Sequence, residues 1–314
     1  MRPSPGLLAL AATAAVLVGC GLGPGPSTEG TASLTVTRDY GARPMVEASV
    51  SEPDESETVL RILDREAEIE TRYGGGFVQS IEGVSGESRG GRRFDWFYYV
   101  NGVEAPIGSA ERSVAGGDRV WWDHRDWTNA MRVPAVIGSW PEPFLQASAT
   151  DDRLPVRVEC AGARADCGTA ADRLSDEGVS VSEVRFGRPA TGEALRVLVG
   201  PWRAVRSDPG AAQIDRGPAT SGVFARFDGN GDALELVALD VAAEPAARLG
   251  AGAGLVAAVR DGERPPTWVV SGVDDAGVRA AVDALETALL RDRYAVVVGA
   301  GSDATLPVPV AGGP

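Results

Sequence analysis

Asp123, His124 and Asp126 put three possible metal-ligating residues within four positions, the first hint of chemistry in this 314-residue chain. Carboxylate oxygens and an imidazole nitrogen together suit a divalent transition metal. His124 is the single histidine, however, so a site with two or three histidines is impossible, and a Ser-His-Asp triad has only this ring to use. The plainer reading of the segment is the solvated end of a strand. Asp228, Asn230 and Asp232 begin like a calcium loop, but Leu239 stands at the twelfth position, where an acidic ligand belongs. That segment reads as a hairpin turn. Gly250, Gly252 and Gly254 precede a strand pattern instead of a helix, so they read as a loop and not as a dinucleotide fingerprint.

All 30 basic residues are arginine, and 44 acidic residues bring the net charge to -14. Without lysine there is no Walker-type phosphate loop, Schiff base or Ser-Lys dyad. An acidic chain is also a poor partner for nucleic acid, whose phosphates need a basic face. No nucleophile motif stands out and no cofactor is called for, so the expectation is a protein that is not an enzyme.

The other residues with chemical reach are aromatic. FDWFYYVNGVEAPIGSAERSVAGGDRVWWDHRDW, from Phe94 to Trp127, holds Trp96, Trp121, Trp122 and Trp127 out of seven tryptophans. Flat rings with a polar tip offer contact area at low entropic cost. Trp96, Tyr98 and Trp122 are the candidate ligand-binding residues. The competing reading is that the rings fill the core of a small domain.

These rings need strands to hold them. ASLTVT alternates apolar and polar as a half-buried strand does, and Met45 to Val50 is expected to pair with it. Val59, Leu60, Leu63 and Ala67 follow at helical spacing, with Asp54 or Ser56 as the expected cap. The acidic run Asp54 to Glu57 suits the positive end of that helix. Val78 to Val84 reads as a strand and Glu87 to Arg93 as a solvated loop. Trp96 to Val100 is apolar on both faces, so both are expected to be covered. Asn101-Gly102 is a hairpin turn signal, Gly116 to Asp118 a second turn, and Val120 to Asp123 a terminal strand.

Strand pair, helix, GGFVQSI, DWFYYVNGVEA and GDRVWWDHRDW, in that order, resemble the DUF4430 domain, which is similar to the C-terminal β-domain of transcobalamin and intrinsic factor. The resemblance implies a small β-rich fold with one helix over about residues 32–133. In the cobalamin carriers such a domain forms one side of a corrinoid cleft opposite an α/α barrel. Nothing in this chain looks like that barrel.

Residues 1–20, MRPSPGLLALAATAAVLVGC, read as a signal peptide ending in a lipobox-like LVGC, with Cys20 as the lipidated residue. Residues 21–31 are rich in Gly, Pro, Ser and Thr and read as a flexible tether. Cys160 and Cys167 are then left as a disulfide pair in an oxidising compartment. The proline-rich connector at 134–154 is expected to be pinned by Trp140 and Phe144.

Strand and helix patterns alternate over residues 155–298, as in an α/β layer domain, and 299–314 read as a flexible tail. Asp275 to Arg291 is expected to be one helix, with Val278, Val282, Leu285 and Leu289 on one face. The fold class expected is α+β: a β-rich domain with one helix, then an α/β domain.

Function follows from address and resemblance. The leading expectation is a lipoprotein outside the cytoplasm that captures a small ligand, corrinoid-like, and passes it to an importer. The alternative is an envelope interaction module with no small ligand. An interdomain cleft lined by Trp96, Tyr98 or Trp122 favours the first, and full burial of those rings favours the second.

Overall fold

The computed structural model describes residues 27–145, 153–299 and 305–311. Cys20, the expected signal peptide and residues 21–26 of the expected tether lie outside them.

The apolar alternation of the first segment becomes β1 (Thr31–Arg38), which turns back into β2 (Arg43–Ser51). Next come α1 (Val59–Glu66), β3 (Ile69–Arg72), β4 (Phe77–Ile81), β5 (Val84–Ser85), β6 (Glu87–Arg89), β7 (Arg92–Val100), β8 (Val103–Glu104) and β9 (Arg119–Asp126). The first sheet has the order β2-β1-β9-β7-β6, with β8 paired to β7, and β1 and β9 run parallel. β3, β4 and β5 form a separate small sheet. Together with α1 it covers one face of the first sheet, burying Ile62, Leu63, Val78 and Ile81 against Leu34 and Trp122.

Several local expectations shift. Residues 27–31 are docked: Thr28 N–H donates to Pro53 O at 2.8 Å, and Thr28 Oγ1 accepts from Gly116 N at 2.8 Å. The cap of α1 is Thr58, whose hydroxyl accepts from Arg61 N–H at 3.3 Å. A bridge from Thr58 to Ser113 holds it extended, which makes it the last residue before the helix. Asp54 closes onto Ser56 instead, at 2.8 Å to its N–H. The strand from Val78 breaks at Glu82-Gly83, both in the left-handed region. Glu87–Arg93 is no loop but a hairpin turning on Gly90-Gly91, at φ 59° and 79°. Asn101-Gly102 turns as expected, at φ 54° and 75°.

The second half builds β10 (Val156–Cys160), α2 (Arg164–Asp176), β11 (Val181–Arg185), β12 (Leu195–Pro201), α3 (Trp202–Val205), α4 (Pro218–Ser221), β13 (Ala225–Asp228), β14 (Glu235–Leu239), β15 (Pro245–Leu249), β16 (Gly254–Val259), β17 (Thr267–Gly272), α5 (Asp275–Asp283), α6 (Thr287–Leu290), β18 (Ala295–Val298) and β19 (Thr305–Val308). Its seven-stranded sheet has the order β11-β10-β12-β17-β16-β18-β19, and β13, β14 and β15 form a three-stranded sheet. Asp228 to Asp232 lies in the β13–β14 hairpin. The expected helix 275–291 is two helices, and the break lets both Leu285 and Leu290 reach the core, while Leu289 is only partly buried. β19 pairs with β18, so part of the expected flexible tail is an ordered strand. Cys160 and Cys167 form a disulfide that ties the end of β10 to α2. The whole is a β-rich α+β structure.

Residues 135–144 of the connector are buried, with Trp140 and Phe144 packed on Trp268, and residues 146–152 lie outside the described ones. Two contacts weld the halves further. Tyr40, Tyr99 and Trp121 share one hydrophobic cluster with Phe224 and Tyr294 of the second half. Gly41 and Gly138 let backbone meet backbone: a Cβ on Gly41 would stand 1.9 Å from Asp292 O, and one on Gly138 would stand 2.7 Å from Arg293 N.

Candidate ligand-binding site

Period two places Trp96 and Tyr98 on one face of β7, and strand register sets Trp122 of β9 opposite Tyr98. The rings of Tyr98 and Trp122 stack with centroids 4.9 Å apart. Trp96 Nε1–H donates to Val84 O at 2.8 Å, and Tyr98 O–H donates to Ile107 O at 2.6 Å. Burial pushes the Tyr98 phenol up to about 12, so it stays a donor. The three candidate residues are thus brought together, each more than nine-tenths buried within the first half.

They also line a cavity of about 220 Å³, and it lies inside the first half, not in an interdomain cleft. Phe77 and Ile107 stand at its rim, 42% and 44% exposed. The sequence reading missed both. Phe77 had a signal in the glycine-rich YGGGF turn, where a large apolar residue has few neighbours to cover it. Trp122 Nε1–H is buried and has no hydrogen-bond partner among the described residues, so this cavity-lining residue carries an unsatisfied donor. The seam between the halves has a groove of its own, about 260 Å³, lined by Val103, Pro106, Pro143, Leu195 and Pro266 and by none of the candidate rings.

The opposite face of β7 and β9, which carries Asp123 and Arg125, is structural, and His124 and Asp126 share the face of Trp122. Asp123, His124 and Asp126, expected at a solvated strand end, are all buried. The second half covers the Asp123 side, a long-range contact that composition does not reveal. Asp123 accepts from Thr37 Oγ1 at 2.6 Å, Gly41 N at 3.1 Å, Tyr40 N at 3.0 Å and Tyr294 O–H at 3.0 Å. Burial raises its pKa against the pull of those bonds. Arg125 lies 3.7 Å over the Phe97 ring and donates to Ala130 O at 2.7 Å. Asp126 pairs with Arg92 at 2.6 Å. His124 Nε2 is 3.1 Å from Ser85 O, with its ring beside Phe94 and Trp96. Each acid already has protein donors, and no metal-holding group is found among the described residues.

Burial lowers the pKa of His124, opposed by its bond to Ser85 and aided by nearby Arg38. The unfolded chain therefore binds this proton more readily than the fold does. Its contribution to stability is complete above pH of about 6.5 and is lost as pH falls through the lower folded value. Asp123 and Asp292, raised by burial, push the opposite way. The urea midpoint of a His124→Gln chain is therefore expected to fall less between about pH 7.5 and 5.5 than that of the wild-type chain. An equal or steeper fall in the variant would remove His124 as the source.

Residues 56–125 match the family described as Domain of unknown function (DUF4430). The match takes in α1 through nearly all of β9 and leaves β1, β2 and the whole second half outside it. No curated protein matches the chain.

Proposed function

We propose that this chain is a binding protein of the cell envelope, held outside the cytoplasm by a lipid on Cys20, which receives one ring-sized group over Trp96, Tyr98 and Trp122. The observation that carries this is the cavity of about 220 Å³ floored by those rings and rimmed by exposed Phe77 and Ile107. Drug-sized ligands fill roughly 300–1,000 Å³, so this space suits a single aromatic or prolyl side chain presented by a partner. That favours the interaction module over enclosure of a corrinoid. Trp122 supports a polar element in recognition, since an acceptor on the guest would satisfy its indole N–H.

A second reading keeps the transcobalamin-like resemblance. A corrinoid would lie across the Phe77–Ile107 rim, not inside the cavity, and an importer would take it from there.

One titration separates the two. The probes are N-acetylphenylalanine amide and cobinamide, read through the indole N–H resonances of the full chain. The expected result is a saturable shift of the Trp122 signal with the phenylalanine amide. Phe77→Ala should weaken it roughly tenfold, or about 1.4 kcal/mol, with little loss of stability because Phe77 is largely at the surface. Micromolar binding of cobinamide alone would establish the second reading. Unmoved Trp96 and Trp122 signals with both probes at about 10 mM, well above a Kd worth about 4 kcal/mol, would end both.

A further inference from the structure

We infer that the groove on the other side of the Tyr73–Phe77 loop is a saccharide-binding site. It has a volume of about 490 Å³ and shares only Phe77 with the ring cavity, so it is a separate place on the molecule. Its lining includes Tyr73, Trp127, Arg72, Arg93, Glu87 and Asp95.

Tyr73 stands out first. It is 87% exposed and sits at φ 55°, a left-handed conformation that non-glycine residues seldom adopt. Folding gains little from an aromatic ring held in water on a strained backbone, and such strain clusters where ligands are gripped. In the same lining the Arg93 guanidinium lies 3.8 Å over the Trp127 ring and brings its N–H donors there. Tyr73 and Trp127 thus both line the groove, and the C–H faces of a pyranose pack against aromatic rings.

The charged groups decide the class of guest. Glu87 and Asp95 supply acceptor oxygens, and Arg72 and Arg93 supply donors, so the lining is balanced in charge. Glu87 is held by Arg89 at 3.7 Å, and Asp95 accepts its neighbour Trp96 N–H at 2.9 Å. An apolar protein anchor would bury these carboxylates without new donors, which is costly. A polyanion would meet them as like charges. A neutral sugar offers hydroxyl donors to the carboxylates and hydroxyl acceptors to the arginines at once. The volume falls within the roughly 300–1,000 Å³ that holds drug-sized ligands, the size of a di- or trisaccharide.

The test is saturation-transfer NMR on the full chain with three trisaccharides: maltotriose, N,N′,N″-triacetylchitotriose and trigalacturonate. A neutral trisaccharide is expected to bind with Kd below about 1 mM, and the uronate at least roughly tenfold more weakly. Tyr73→Ala and Arg93→Ala should each weaken binding about tenfold or more, while Tyr73→Phe keeps it. Thermal unfolding of the Tyr73→Ala chain should match the wild type, since the ring is at the surface. The Trp122 indole resonance should stay in place, so this site and the ring cavity can fail separately. The proposal is overturned by any of three results: no neutral trisaccharide binds at about 10 mM, binding survives Tyr73→Ala, or the uronate binds tightest.

Discussion

An Asp123→Ala chain is expected to unfold with about 3–5 kcal/mol less stability than the wild type, the cost of removing one partner from a buried charged network. Among the described residues the carboxylate is the only acceptor found for the backbone N–H groups of Tyr40 and Gly41, and it is the nearer of two for Thr37 Oγ1, whose other acceptor is Trp122 O at 3.4 Å. Tyr294 reaches it from the other half of the molecule. Alanine leaves the Tyr40 and Gly41 N–H groups without that acceptor in a buried site. At this chain length the melting temperature should drop by on the order of 10 °C. Asp123→Asn keeps the volume but turns one oxygen into a donor facing donors, so it should recover little. Urea unfolding followed by tryptophan fluorescence measures both. A loss below about 1 kcal/mol in Asp123→Ala, no more than an ordinary neutral hydrogen bond, would show that the network does not hold the halves together.

Gly41→Ala should be nearly as damaging by a different route. Gly41 sits at φ 81°, where any side chain is strained, and its Cβ would lie 1.9 Å from the Asp292 carbonyl oxygen. Neither atom is the end of a flexible side chain, so backbone has to move. Asp292 N–H is bonded to Gly138 O at 3.1 Å, and Ile137 N–H to Tyr294 O at 3.4 Å, so the shift would spread into the connector. The expected cost is about 3 kcal/mol or more, above the 1–3 kcal/mol of local strain alone. Hydrogen exchange should show faster opening in both β9 and β18, because the same cluster fills the space between them. Protection confined to normal values in β18 would mean the contact is local and the halves are independent.

Much of this architecture could be read from residue order, and the reason is local. Alternation in ASLTVT, the Asn101-Gly102 turn and the apolar run at Trp96–Val100 each decide their own conformation within a few residues. The grouping of Trp96, Tyr98 and Trp122 follows from period two once β7 and β9 pair. What stayed hidden depends on distant contacts. Asp123, His124 and Asp126 look solvated because acids near a strand end usually are, and only Tyr294 and Phe224, far along the chain, show that one of those faces is covered. The Gly90-Gly91 hairpin was masked by the arginines around it. β15 and β19 contain proline and little apolar periodicity, and both are edge strands, where a missing N–H is tolerated.

The docking of Thr28 bears on how the molecule carries force. Its bonds to Pro53 and Gly116 fasten the chain just before β1, and β1 lies between β2 and β9. Traction applied upstream of Ser27 therefore runs along the axis of β1. The ladders on both its sides are then loaded in shear, so their bonds resist together instead of peeling one after another. A domain pulled from that end is gripped at a strand paired along both of its edges.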